Sequence, residues 1–162
     1  MRDMRKLYTD SFEQFLCDGY SVLQDALSET FCARLRVNCI DRIDTGTLFV
    51  NPDDILHRAL IPHGVIVLHN FGIKHATYVS GVIVKSEQMQ AGTNNAKVGI
   101  LFCLDYGLLQ VERSQPGGIT CPVKTMVDTP FGSAVVLDSR TLYTFAAVEK
   151  NRHIAVMLRY SL

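Results

Sequence analysis

A chain of 162 residues with 48 % hydrophobic and 20 % charged side chains is globular in composition, not disordered, and of single-domain size. Lysine plus arginine equals aspartate plus glutamate at 16 each, which excludes a bulk pull towards nucleic acid or an anionic membrane surface. No apolar run approaches the ~20 residues of a membrane helix, and Arg2, Arg5 and Lys6 lead into Tyr8-Thr9-Asp10, not into the apolar segment of a signal peptide.

Cys17, Cys32, Cys39, Cys103 and Cys121 are odd in number and contain no Cys-x-x-Cys pair. They read as small buried hydrophobes of a reducing compartment, with no disulfide framework and no cysteine zinc site. The expectation is a soluble intracellular protein, one domain over 1–162.

In chain order, Asp10-Ser11-Phe12-Glu13 opens like a capped helix. Phe12, Phe15 and Leu16 form its apolar face, and Gly19 can end it. Tyr20 to Leu23 reads as a short strand. A second helix, capped by Ser28, places Phe31, Cys32, Leu35, Cys39 and Ile43 on one side. Asn51-Pro52 predicts a third helix over Asp53 to Leu60. Pro62-His63-Gly64 reads as its break, with Val65 to Leu68 a buried strand beyond it. Gly72 to Val84 suits strand or helix equally.

From Lys97 onward, short strands recur: Val98–Leu104, Leu108–Glu112, Ile119–Met126, Ser133–Leu137, Leu142–Val148 and His153–Tyr160, with turns at Asp105-Tyr106-Gly107, Pro116-Gly117-Gly118 and Asp128-Thr129-Pro130. The plan is α+β and mainly β: a helical brace over 1–60 packed on an antiparallel sandwich or barrel over 61–162.

Five histidines, His57, His63, His69, His75 and His153, are candidates for metal ligation. A mononuclear iron(II) oxygenase centre uses two imidazoles and one carboxylate. It usually starts from His-x-Asp or His-x-Glu on one strand, yet two places after these histidines stand Ala59, Val65, Phe71, Thr77 and Ala155. There is no Gly-x-Ser-x-Gly elbow, no glycine-rich phosphate loop, and nothing to lower the pKa of Cys121. Arg152, where two strands meet, offers a planar fork for a small dicarboxylate.

These residues also resemble a known family. The run F-E-Q-F-L-C-D-G-Y-S-V-L-Q-D-A-L-S-E-T-F-C-A-R-L-R, Phe12 to Arg36, looks like the opening of phytanoyl-CoA dioxygenase-like proteins. The run G-S-A-V-V-L-D-S-R-T-L-Y, Gly132 to Tyr143, followed by N-R-H-I-A-V-M-L-R-Y, is similar to their end. H-G-V-I-V-L-H-N-F-G-I-K-H, His63 to His75, resembles shorter relatives from large DNA viruses and plankton. Together these matches span about half the chain.

The resemblance implies a double-stranded β-helix (jelly-roll, cupin-like) fold and, for the family, iron(II)- and 2-oxoglutarate-dependent oxygenation. It places Tyr143 where the second iron histidine is expected and Arg152 where an arginine holds the 2-oxoglutarate carboxylate, with Arg159 further on. No His-x-Asp supplies the first histidine and the carboxylate.

The resulting expectation is a short, catalytically degenerate member without a cofactor. It would serve as a binding or structural protein with a protein partner, within a larger assembly such as a virion or at a host interface, and be cytoplasmic or virion-associated. The alternative is a working iron(II)/2-oxoglutarate dioxygenase with displaced ligands drawn from His69, His75, Asp105 and Asp138. A third reading keeps Arg152, with Tyr143, as a clamp for 2-oxoglutarate or another small anion.

Overall fold

The computed structural model describes residues 12–85, 90–91, 98–113, 123–138, 141–145 and 154–162. Helix α1 (12–18) ends at Gly19, whose φ of 81° is left-handed and whose N–H donates to Phe15 O at 3.0 Å. Strand β1 (Tyr20–Leu23) follows. Helix α2 (Glu29–Thr45) starts where the Ser28 hydroxyl accepts from Phe31 N, with Glu29 in the first turn, and buries Cys32, Leu35 and Cys39.

Helix α3 (Ile55–Asn70) differs from the sequence expectation at both ends. Its cap is Asp54, whose side chain accepts from Leu56 N at 3.0 Å, while Asn51 closes a turn onto Asp54 N. It runs straight through Pro62 and Gly64, so Val65 to Leu68 are helical and not a strand. Pro62 lies on the exposed face, where water can satisfy the Arg58 carbonyl that it leaves free. Gly64 faces the sheet so closely that a Cβ there would lie 2.6 Å from the Tyr160 hydroxyl oxygen. Leu56, Leu60, Gly64, Val67 and Leu68 form the buried stripe. Leu16, expected in the apolar face of α1, is 58 % exposed.

The described residues add ten strands: β1; β2 (Phe49–Val50); β3 (Thr77–Lys85), which resolves the ambiguous stretch as strand; β4 (Gln90–Ala91); β5 (Val98–Cys103); β6 (Gly107–Arg113); β7 (Val123–Thr129); β8 (Ala134–Asp138); β9 (Thr141–Phe145); and β10 (Ile154–Ser161). All pairs among the described residues are antiparallel, in a six-stranded sheet of order β1-β8-β5-β10-β3-β2 and a four-stranded sheet of order β4-β9-β6-β7. This is the mainly-β, double-stranded β-helix architecture, with helices packed on one sheet.

Alternation along the central strands separates two cores. Ile154, Val156, Leu158 and Tyr160 join Ile100, Phe102 and Val136 beneath the helices. Ala155 and Met157 face the other way, meeting Leu101, Cys103, Val135 and Leu137, with Leu109, Val111 and Tyr143 closing from the smaller sheet. Both faces of β10 are covered, so Ile154 through Tyr160 are all buried. Cys32, Cys39 and Cys103 are buried thiols; Cys17 is exposed, against expectation, and Cys121 lies outside the described residues. Among the described residues no helix is long and apolar enough to cross a membrane.

Candidate functional site

β10 carries one polar residue into its buried run. Arg159 continues the Ala155, Met157 face towards the space between the sheets and is 8 % exposed. Its cross-strand neighbours are small, Gly99 on β5 and Ser80 on β3, which leaves room for a guanidinium on the inner face of the sheet.

The register of β3 against β10 shifts between Arg159 and Tyr160, so Ser80 pairs with Arg159 and Tyr78 with Tyr160. A bulge of this kind re-aims side chains. Here Tyr78 and Tyr160 meet edge to face at 6.0 Å. Tyr78 also stacks on His57 at 3.8 Å, donates its hydroxyl to Val50 O, and is pushed up to about 12, chiefly by burial.

From the opposite sheet comes Tyr143, fully buried on β9 between Gln90 and Val111 of the neighbouring strands. Burial drives its ionisation well above the ordinary tyrosine range, the Arg159 charge opposes that shift, and Cys103 adds to it. The phenol is therefore a neutral hydroxyl that can donate. Burial likewise pushes Cys103 up to about 12, opposed by a hydrogen bond from Thr129, so it is no thiolate nucleophile at neutral pH. A buried cation, a neutral phenol and a serine on β3 can hold an anion; a guanidinium meets a carboxylate with two parallel, charge-assisted bonds.

The residues singled out from sequence separate. Arg152 lies outside the described residues, as do Arg140 and His153. His69, in the last turn of α3, and His75, after it, are exposed. Asp105 follows β5, accepting from Arg36 Nε at 2.7 Å and from Ile154 N at 3.2 Å. At the end of β8, Asp138 Oδ1 accepts from the Thr141 hydroxyl at 2.8 Å. His57 Nδ1 lies 2.8 Å from Pro52 O, and His63 packs on the Phe31 ring.

Among the described residues no group of three histidine, cysteine, aspartate or glutamate side chains is placed to hold a metal. His69, His75, Asp105 and Asp138 thus do not form the displaced iron centre. The described residues gather no donor set for iron. Arg159, which the sequence reading named only as lying further on than Arg152, is placed on this face by pairing: Ala155 is set against Cys103 and Met157 against Leu101, and Arg159 follows them by alternation.

No family model matches this sequence, and no curated protein resembles it closely enough to count as a relative. Solved structures do. The non-heme α-ketoglutarate-dependent epimerase SnoN from nogalamycin biosynthesis superposes with a TM-score of 0.75 at 10 % identity, covering 96 % of this chain and 82 % of its own. AviO1 from Streptomyces viridochromogenes gives 0.74 at 15 %, covering 96 % and 95 %. A Pseudomonas putida prolyl-4-hydroxylase gives 0.66 at 11 %, covering 96 % and 100 %.

At these identities the likeness is one of fold, the fold of iron- and 2-oxoglutarate-dependent oxygenases. SnoN has also been solved with Fe3+ and α-ketoglutarate bound. That overturns the expectation of a domain without a cofactor, since this architecture is seen built around those groups. The narrower phytanoyl-CoA dioxygenase-like and viral features, and the structural or virion role, rest on the sequence resemblance alone.

Proposed function

We propose that the jelly-roll interior binds a small carboxylate of the 2-oxoacid class, with 2-oxoglutarate as the reference ligand. Arg159 supplies the cation, and Tyr143 and Ser80 supply hydroxyl groups. The observation that carries this reading is Arg159, a residue 8 % exposed on the inner face of β10 between Gly99 and Ser80. A buried charge is kept where ionic or multiple hydrogen-bonding partners offset its desolvation.

The test is a melting curve with 2-oxoglutarate. At about 100 times the dissociation constant, binding stabilises by about 2.7 kcal/mol, a rise of about 5–10 °C for a chain of this size. Arg159→Gln, which removes the charge and shortens the side chain but keeps an amide donor, is expected to weaken binding about thirtyfold or more, and Tyr143→Phe about threefold to tenfold. No shift at millimolar 2-oxoglutarate, or a shift that survives Arg159→Gln, rejects the site.

A second reading, an iron(II)-dependent oxygenase, is favoured by the named activities of SnoN and the prolyl-4-hydroxylase. The described residues gather no three-donor group, so no step is assigned through iron. Succinate formation from 2-oxoglutarate, with iron(II) and oxygen supplied, supports this reading. Binding of 2-oxoglutarate without succinate supports the first.

A further inference from the structure

Helix α3 is apolar on both sides. Its inner stripe is packed on the sheet, yet the outward stripe also carries Ile61, Val65 and Ile66 at 40 %, 45 % and 55 % exposure, with exposed Pro62 between them. A helix apolar all round is ordinarily a covered helix, and a contiguous exposed apolar patch marks an interaction surface.

Two properties of this stripe identify its occupant. First, it is centred near the middle of a helix running from Ile55 to Asn70. A two-fold axis between His63 and Gly64, one residue beyond that midpoint, therefore lays the patch on its own copy, Ile61 on the partner's Ile66 and Pro62 on the partner's Val65, as an isologous contact requires. Second, the charges flanking the stripe complement one another under the same rotation. Exposed Asp53 lies just before the helix and exposed Lys74 just beyond it, so an antiparallel pairing sets the acidic end of one copy beside the basic end of the other. Arg58 then falls opposite the partner's His69, an imidazole that accepts when neutral. A parallel pairing would set like ends together.

We infer that this chain forms a homodimer by antiparallel packing of α3 on the α3 of a second copy, with Ile61, Pro62, Val65 and Ile66 at its centre and Asp53–Lys74 pairs at its ends. The interface lies on the helical layer, away from Arg159, so dimerisation stands or falls independently of ligand binding.

Sedimentation equilibrium of the whole chain from about 1 to about 100 µM tests this. The expected species has twice the 18.1 kDa mass of the chain. Ile66→Glu buries an unpaired carboxylate at the centre and is expected to weaken the dimer at least about a hundredfold. Val37→Glu, on an equally exposed apolar residue of α2 (62 % exposed), leaves it unchanged. Lys74→Asp weakens the dimer, and adding Asp53→Lys restores it.

In a Cys17→Ser background, Ile61→Cys with Ile66→Cys is expected to give a disulfide-linked dimer on oxidation, while Ile66→Cys alone gives none. A wild-type monomer throughout the range overturns the inference. So does a dimer that withstands Ile66→Glu.

Discussion

Replacing Asp105 with alanine should cost about 2–3 kcal/mol of stability, a value that follows from its two bonds. One carboxylate oxygen takes Arg36 Nε at 2.7 Å, with side-chain exposures of 39 % for Arg36 and 20 % for Asp105. At that exposure solvent screens the pair, and it contributes no more than about 1 kcal/mol. The other oxygen takes the N–H of Ile154 at 3.2 Å, and Ile154 is 1 % exposed. Stranding that buried donor costs about 1–3 kcal/mol.

Ile154 opens β10, the strand held between β5 and β3, and its carbonyl already accepts from Leu104 N at 3.0 Å. Asp105 therefore clips both α2 and the turn after β5 to the start of the central strand. For a domain of this size the loss lowers the melting temperature by about 5–10 °C. Urea denaturation of wild type, Asp105→Asn, Asp105→Ala and Arg36→Ala, with the Arg36→Ala/Asp105→Ala double mutant, separates the two bonds. Asparagine keeps an acceptor for Ile154 and is expected to lose about half as much as alanine, with a coupling energy to Arg36 of about 0.5–1 kcal/mol. A loss under about 0.5 kcal/mol for Asp105→Ala refutes the argument and reopens Asp105 to a functional role.

Gly81→Ala places a Cβ 2.5 Å from the Tyr78 hydroxyl oxygen and 3.0 Å from both Leu158 Cδ2 and Val50 Cβ. Calorimetry should show a loss of about 2–3 kcal/mol from overpacking and from breaking the Tyr78–Val50 bond, and an unchanged transition would contradict it. Alkaline stability should fall from pH 9 upward. Cys39 rises from 9.0 to about 12, mainly by burial, and Tyr78 from 10.0 to about 12, so above their unfolded values the unfolded chain releases protons that the folded chain keeps. Stability is full below pH 9 and declines towards pH 12. Cys39→Ala should flatten the first part of that decline in denaturant titrations at stepped pH, and a flat wild-type profile to pH 11 would exclude the mechanism.

The fold was legible where one local rule governed each element. Ser28 capped α2 as expected, Gly19 ended α1, and strand followed strand from Val98, the described boundaries lying within a few residues and 119–122 and 146–148 falling outside the described residues. The failure came at Pro62-His63-Gly64, read as a break. A proline inside a helix costs a hydrogen bond and a ring clash with the preceding turn, which the packing of the inner stripe outweighs here; Pro62 is exposed, and the glycine is spent on close approach to Tyr160. Val65 to Leu68 carry strand-forming residues, but their apolar stripe at Leu60, Gly64, Val67 and Leu68 belongs to a helix, and packing decided between them. Leu16 followed the apolar spacing of α1 and is nonetheless mostly exposed, because Phe12 and Phe15 turn their rings onto Phe71.

The site was less legible, for a reason peculiar to strands covered on both faces. Arg152 draws attention in the sequence because it stands among polar residues where two strands meet, whereas Arg159 is embedded in Ile-Ala-Val-Met-Leu-Arg-Tyr and looks like the frayed end of a core strand. A strand buried on both sides shows no alternation of polarity from which to tell inside from outside. Only pairing does so: once Ala155 is set against Cys103 and Met157 against Leu101, Arg159 must point between the sheets, opposite Gly99. The same pairing explains why Tyr143 matters. It was marked in the sequence as a departure from an iron ligand. In the structure it is a buried neutral phenol whose ionisation feels the Arg159 charge. A cation and a hydroxyl donor facing a common interior suit a carboxylate better than they suit a metal ion, since neither arginine nor a neutral phenol is a good ligand for iron(II).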